Sequence, residues 1–287
     1  MSADARIRHR QILRVEAHRS MRQQLKELRY DWDLPRYAGG LYDLEVVAGG
    51  LYGLAVIAGA PKSGKSLLAL RCALDTARQA ETLVVYVDLE LDSGTYARRL
   101  LGACGARTQG ELPSWIPDHM RIIDGRDAGV EELSDGIAEQ LDDQHERVLI
   151  VIDSINRLAK NQQLHRKDAY FDALSAVVSW ARRAMTLSHG QIGAILVSEV
   201  NRAGQITGQD PEYAADCLVT LRPEDGGTGI VEVDFRSRST AGFAGRRYHR
   251  DAAGVQFVPE GAGHAPAVPP PPDPDDPEPW GEPLRLL

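Results

Sequence analysis

The stretch Gly59-Ala60-Pro61-Lys62-Ser63-Gly64-Lys65-Ser66 constrains this chain more than any other. It follows the apolar run Leu54-Ala55-Val56-Ile57-Ala58 and leads into Leu67-Leu68-Ala69-Leu70, Cys72-Ala73-Leu74 and Ala77. That order of strand, glycine-bearing loop and helix is the setting a phosphate-binding loop requires. Glycines let backbone N–H groups point inward around a polyphosphate, and the helix behind them presents its positive N-terminal end. Lys65 then has the length to reach the β- and γ-phosphates, and the Ser66 hydroxyl can bind Mg²⁺. The bare pattern arises by chance in unrelated chains, but the flanking strand and helix argue against chance here. A nucleoside triphosphate is the expected ligand, cradled by all eight residues.

With 287 residues, 43% of them hydrophobic, the chain can bury a substantial core as one large domain or two small ones. No apolar run approaches the roughly 20 residues that span a membrane, and no signal-peptide core stands at the N-terminus, so a cytoplasmic protein is expected. Cys72, Cys104 and Cys217 are far apart and in no metal-like spacing, which suits reduced, buried thiols. The net charge of −8 is unevenly spread: residues 1–30 hold eight Lys and Arg against three Asp and Glu, whereas residues 259–287 hold six acidic residues against Arg285. Overall acidity opposes nonspecific adhesion to nucleic acid but leaves room for a local basic site, such as one lining a ring.

Residues 5–29 have a helical pattern, with Leu13, Ala17, Met21, Leu25 and Leu28 on one face and basic residues opposite. Such a helix suits packing on protein first, nucleic acid second and a membrane last. Two near-copies of one hexapeptide, at Gly39–Leu44 and Gly49–Leu54, read as turn chemistry, since their ten-residue offset is too short for a solenoid unit. Beyond the loop helix, Leu83-Val84-Val85-Tyr86-Val87-Asp88-Leu89-Glu90 is an apolar strand ending in carboxylates. Ligands of open α/β sheets sit at the carboxyl ends of strands, so Asp88 or Glu90 could activate a water; a solvated strand end or a helix cap is the plain alternative. Met120 to Asp124 suggests another strand and Val130 to Leu141 a helix. The run Val148-Leu149-Ile150-Val151-Ile152-Asp153 reads as a central strand buried on both faces, with Asp153 in the Walker B role at the metal. A long helix is expected from Asp168 to Ser188, with Tyr170, Leu174, Val177, Val178, Ala181, Met185 and Leu187 on its apolar side and Trp180 in the core. Gly193 to Glu199, Cys217 to Leu221 and Ile230 to Phe235 complete the strands. The polar loop between the first two, through Asp210, could sense the γ-phosphate, touch a polymer or simply be exposed. Arg236 and Arg238 alternate at a strand end and so share a face, which suits one phosphate group or a solvated turn equally.

In this order the parts resemble RecA-fold ATPases, and within them the DnaB-type hexameric helicase core with its RadA and KaiC relatives, over about residues 39–258. The segment GGLYDLEVVAGGLYGLAVIAGAPKSGKS (39–66) is similar to that group's entry and Walker A signature, and VLIVIDSINRL (148–158) to its Walker B strand. The segment VVYVDLELDSGTYARRLL (84–101) resembles the second-strand motif whose glutamate is the catalytic base, which implies Glu90 for that role and Arg99 near the nucleotide base. ILVSEVNRAG (195–204) is similar to the sensor strand, with Asn201 matching its asparagine, but Glu199 stands where helicases carry glutamine. A carboxylate there repels the γ-phosphate unless Mg²⁺, a proton or an arginine offsets it. RSRSTAGFAG (236–245) resembles the segment that reaches the neighbouring subunit's nucleotide, which makes Arg236 and Arg238 candidate fingers in trans and implies a ring or filament. No segment of the sequence resembles a DnaB-type collar, a RadA-type zinc module or protease-like domain, or a second copy as in KaiC, so a single-module ATPase is expected.

The expectation is therefore an α/β protein with a mostly parallel central sheet flanked by helices and antiparallel C-terminal strands. A basic helix (residues 1–35) precedes the ATPase domain (36–258), and a proline-rich acidic tail (259–287), too polar for a core, follows it and could carry a partner-binding motif. The resemblance implies Mg²⁺-dependent ATP hydrolysis, with Lys65 on phosphate, Ser66 and Asp153 on the metal, Glu90 on water, and single-stranded DNA as the moved or remodelled partner. A KaiC-like switch acting on a protein is the alternative, and a recombination mediator a third.

Overall fold

The apolar runs become strands of one sheet in the computed structural model of the protein. The structure describes residues 35–91, 93–106, 108, 111–113, 115–141, 144–161, 167–188, 191–201, 206, 212, 214–224, 229–250 and 257–260. The basic segment expected to be helical (5–29), most of the polar loop through Asp210 and the tail from 261 lie outside these residues. So do the side chains of Tyr170, Leu174 and Leu187.

A small antiparallel ribbon comes first, β1 (Arg36–Tyr37) against β2 (Leu51–Tyr52), with the short helix α1 (Tyr42–Ala48) between them. The main elements follow as β3 (Leu54–Gly59), α2 (Lys65–Ala77), β4 (Thr82–Asp88), α3 (Ser93–Ala103), α4 (Trp115–His119), β5 (Met120–Asp124), α5 (Val130–Gln140) and β6 (Arg147–Asp153). Then come α6 (Ile155–Asn161), α7 (Lys167–Leu187), β7 (Ile192–Glu199), β8 (Cys217–Pro223), β9 (Ile230–Ser237), β10 (Phe243–Arg250) and β11 (Phe257–Pro259). Among the described residues the main sheet runs β11-β10-β9-β8-β3-β7-β6-β4-β5, parallel from β8 to β5 and antiparallel from β8 to β11. The fold is thus the expected α/β architecture, with strand positions matching the apolar runs. β10 and β11 are additions that the sequence reading did not place.

Alternation along the strands separates two cores. Ala55 and Ile57 of β3 pack with Leu68, Ala69, Cys72 and Ala73 of α2 on one face, while Leu54, Val56 and Ala58 meet Val177, Val178, Ala181 and Ala184 of α7 on the other. Burial on both faces is why these strands read as unbroken apolar runs. Each Leu, Ile or Val among them contributes about 1.5–3 kcal/mol on leaving water. Trp180 is core, as expected: it is 6% exposed, and its Nε1–H donates to Ser134 Oγ on α5 at 3.3 Å. Cys72 and Cys217 are buried thiols, whereas Cys104 is only half-buried, a correction that follows from its place at the end of α3. No helix among the described residues is long and apolar enough to cross a membrane.

Two close contacts tie the entry ribbon and α7 to the sheet. Tyr37 lies over Gly193 so tightly that a Cβ there would come within 2.2 Å of the ring, and its hydroxyl donates to Val148 O at 3.2 Å. Arg182 of α7 holds Asp216 through both guanidinium nitrogens, and the same carboxylate accepts from Leu54 N at 2.9 Å. The near-repeat takes two forms. Tyr42 opens α1 and is 66% exposed, whereas Tyr52 sits in β2 at 3% exposure with its hydroxyl 2.7 Å from Ser237 Oγ.

Candidate functional site

The parallel register brings the ends of β3, β7, β6 and β4 to one rim of the sheet. Gly59 is level with Glu199, and Asp88 with Asp153. The loop 60–64 leaves β3 at this rim and turns into α2. Gly64 makes that turn at φ 97°, in the left-handed region that favours glycine, and no side chain caps the helix behind it. The first N–H groups of α2 are therefore available to an anion. Gly59 is required by close approach, because a Cβ there would lie 2.5 Å from Ser63 Oγ and 2.6 Å from Leu221 O. Ser63 is fully buried, and among the described residues its hydroxyl has no hydrogen-bond partner. Pro61 and Lys62 lie on the outside of the loop, exposed.

Lys65 folds back on this loop and donates from Nζ to Ala60 O at 2.8 Å. It is 8% exposed, and burial lowers its pKa against the opposing pull of Glu199, Asp153 and Glu90. Ser66 Oγ donates to Asp153 Oδ1 at 3.1 Å, and the Tyr86 hydroxyl donates to Asp153 Oδ2 at 2.8 Å. Burial pushes the Asp153 carboxyl up to about 6, with Asp88 and Glu90 adding to the rise and the two hydroxyl donors opposing it. A buried hydroxyl, a lysine, free helix-end amides and a hydroxyl–carboxylate pair of hard oxygens together fit a Mg²⁺–polyphosphate. Among the described residues no three His, Cys, Asp or Glu side chains form a metal cage.

The two strand-end carboxylates of β4 separate into different tasks. Asp88 Oδ1 accepts from the backbone N–H of Glu90 at 2.9 Å and of Leu91 at 2.8 Å, so this residue shapes the turn after the strand. Burial raises its pKa, and the nearby Arg99 on α3 counters this. Glu90 projects from that turn, exposed, and accepts from Ser154 Oγ at 2.6 Å. Ser154 and Asn156, which the sequence reading did not single out, anchor the site from the segment after β6. Asn156 is 3% exposed and its Oδ1 accepts from Glu199 N at 2.7 Å. Asn201 follows β7 at the rim and is exposed.

Two further unanticipated residues come from the far end of the chain. Arg250 Nη1 donates to Lys62 O at 3.1 Å, and Phe257 lies 3.2 Å from where a Cβ on Gly64 would stand. The signal was weak, because β10 is basic and interrupted by glycine, with Tyr248 its one buried residue. Arg236 and Arg238 are not brought to this rim. Arg236 is level with Leu218 and hence with Val56 of β3, and Arg238 N donates to Asp216 O before the start of β8, so both lie towards the opposite end of the sheet. The Arg236 side chain is 75% exposed, 3.8 Å from Glu212.

The profile of the AAA domain family matches residues 17–190. No curated protein matches the chain. Among solved structures it is similar to the ATPase domain of G40P, with a TM-score of 0.60 and 18% identity over 80% of this chain and 93% of that one. It is also similar to a DnaB-like replicative helicase described with its primase interactions (TM-score 0.59, 17% identity, 84% of this chain and 67% of that one). A KaiC-like protein, PH0186 from Pyrococcus horikoshii OT3, gives a TM-score of 0.58 at 16% identity over 79% of this chain and 99% of that one. At these identities the likeness is one of fold.

Proposed function

The chain belongs to the AAA domain family, and from that premise and its likeness in fold to the ATPase domain of G40P, a DnaB-like helicase and a KaiC-like protein we propose that it is a RecA-like P-loop ATPase that hydrolyses ATP with Mg²⁺ in a cytoplasmic ring or filament of its own copies and uses the cycle to move along or remodel single-stranded DNA. The observation that carries the catalytic part is the convergence of Lys65, Ser66, Asp153 and Glu90 at one rim, with Ser66 bonded to Asp153 and Glu90 held by Ser154. The loop N–H groups from Lys62 onward and the α2 end bind the phosphates, Lys65 exchanges Ala60 O for the β- and γ-oxygens, and Ser66 with Asp153 holds the metal. Mg²⁺, when bound, neutralises charge on the β- and γ-phosphates. Glu90 accepts the proton of the water that attacks the γ-phosphorus, releasing ADP and phosphate. Arg99 and Asn201 are assigned to the nucleotide's surroundings, and Arg236 and Arg238 of one copy to the site of the next. The ATPase unit is assigned to residues 36–258, with the basic segment 1–35 and the acidic tail 259–287 left for subunit or partner contacts.

The test is ATP hydrolysis by the purified chain with and without single-stranded DNA, at low and moderate salt. Stimulation by DNA that weakens as salt rises supports the DNA reading. Hydrolysis indifferent to DNA removes it and leaves the KaiC-like switch acting on a protein. Lys65→Ala should abolish nucleotide binding, and Glu90→Gln should bind normally while losing turnover by at least about a hundredfold. Retained hydrolysis in Glu90→Gln would move the base elsewhere.

A further inference from the structure

Glu199 is a rim carboxylate that the reaction above does not use and that, unlike Asp88, does not shape the turn after β4. Its position is firmly set. Glu199 ends β7 level with Gly59, Val200 N donates to Gly59 O at 3.2 Å, and Glu199 N donates to the buried Asn156 Oδ1 at 2.7 Å. Its backbone is thus held from the loop strand on one side and from α6 on the other. The side chain is half-buried, so water screens its charge only in part. Lys65 Nζ rests on Ala60 O, one residue beyond the Gly59 that Glu199 faces across β3 and β7.

We propose that Glu199 sets the phosphate-charge preference of this P-loop: it competes with the terminal phosphate of a nucleoside triphosphate for Lys65, and so biases the site towards the diphosphate. The inference rests on the reading of the loop as an ATP site and adds to it. The α- and β-phosphates are served by loop amides and the α2 end, which Glu199 leaves untouched. On that reading the terminal phosphate extends beyond them, towards Lys65 and the rim carboxylates. Asp153 meets it through the metal and Glu90 through a water, but Glu199 has neither intermediary and contributes bare repulsion. Two negative charges several ångströms apart in a partly buried site change affinity by about tenfold or more. Glutamine at this position keeps the shape and removes the charge. Aspartate keeps the charge and withdraws it by one methylene.

The experiment is calorimetric titration of the full chain with ADP and with a non-hydrolysable ATP analogue, both with Mg²⁺, for wild type, Glu199→Gln and Glu199→Asp. Glu199→Gln is expected to tighten the triphosphate analogue about tenfold while ADP changes less than about threefold. Glu199→Asp is expected to stay nearer the wild-type ratio. A triphosphate-to-diphosphate ratio unchanged in Glu199→Gln, or moved towards ADP, overturns the inference and leaves the ATP site standing. Wild-type protein that binds neither nucleotide overturns the ATP site itself, and this inference with it.

Discussion

Burial pushes the Asp153 carboxyl up to about 6, and raises Asp88 beside it as well. A carboxyl whose folded-state value lies above its unfolded value near 4 stabilises the fold fully below the unfolded value and loses that contribution as pH rises through the folded one. For Asp153 the window is about pH 4 to 6, and the amount on the order of 2–3 kcal/mol in the ligand-free protein. Asp153→Asn has no such charge to bury. Denaturant unfolding should therefore show the variant gaining on wild type by about 2–3 kcal/mol between pH 4.5 and pH 7.5. A gap that does not change with pH would mean that burial is not what perturbs the group. The same residue shows how far single positions were legible. Asp153 and Ser66 were readable because a strand-end carboxylate and a P-loop hydroxyl each announce themselves locally. Asp88 and Glu90 were not separable, because which one shapes the turn and which projects depends on backbone hydrogen bonds that spacing does not encode. Ser154 and Asn156 carried no local signal, since their partners, Glu90 and Glu199, lie on other strands.

At the scale of elements, the central strands were legible for the reason that makes them stable: each buries both faces, and such a run of β-branched and aliphatic residues suits little else. β10 and β11 were not, because β10 is basic with one buried residue and β11 is three residues ending in proline, so neither has a periodicity to distinguish it from a loop. The entry ribbon depends on a single close packing. Gly193→Ala would place a Cβ 2.2 Å from the Tyr37 ring, so the strand or the ring must move. The expected destabilisation is about 1–3 kcal/mol, read as a lowered Tm. Tyr37→Ala should make the second change nearly free, so the double variant should lose much less than the two single losses together. Strict additivity would show that the contact carries no strain.

For the whole molecule, the arrangement of arginines is the main result. Arg236 and Arg238 lie away from the rim that holds Lys65 and Glu90, towards the opposite end of the sheet. If they act on nucleotide, they act on a neighbour's. Arg236→Ala and Arg238→Ala proteins should be inactive alone and regain ATPase activity when mixed with Glu90→Gln subunits, since mixed assemblies contain some intact half-sites. No recovery on mixing, with co-assembly checked by light scattering, would remove the trans assignment.

The sequence by itself determined the phosphate loop, the parallel α/β class and the strand ends that carry carboxylates. These depend on contiguous residues: a strand, a loop and a helix in order, or an apolar run closed by one charge. Only the tertiary structure decided which of those ends meet. Strand order places β7 between β3 and β6, and register sets Gly59 level with Glu199 and Asp88 with Asp153. The same lesson is written in the near-repeat, where one hexapeptide opens a helix with Tyr42 in water and its copy forms a strand with Tyr52 buried against Ser237. Local preference permits both. The choice comes from what each tyrosine can be packed against, and that is a property of the assembled sheet.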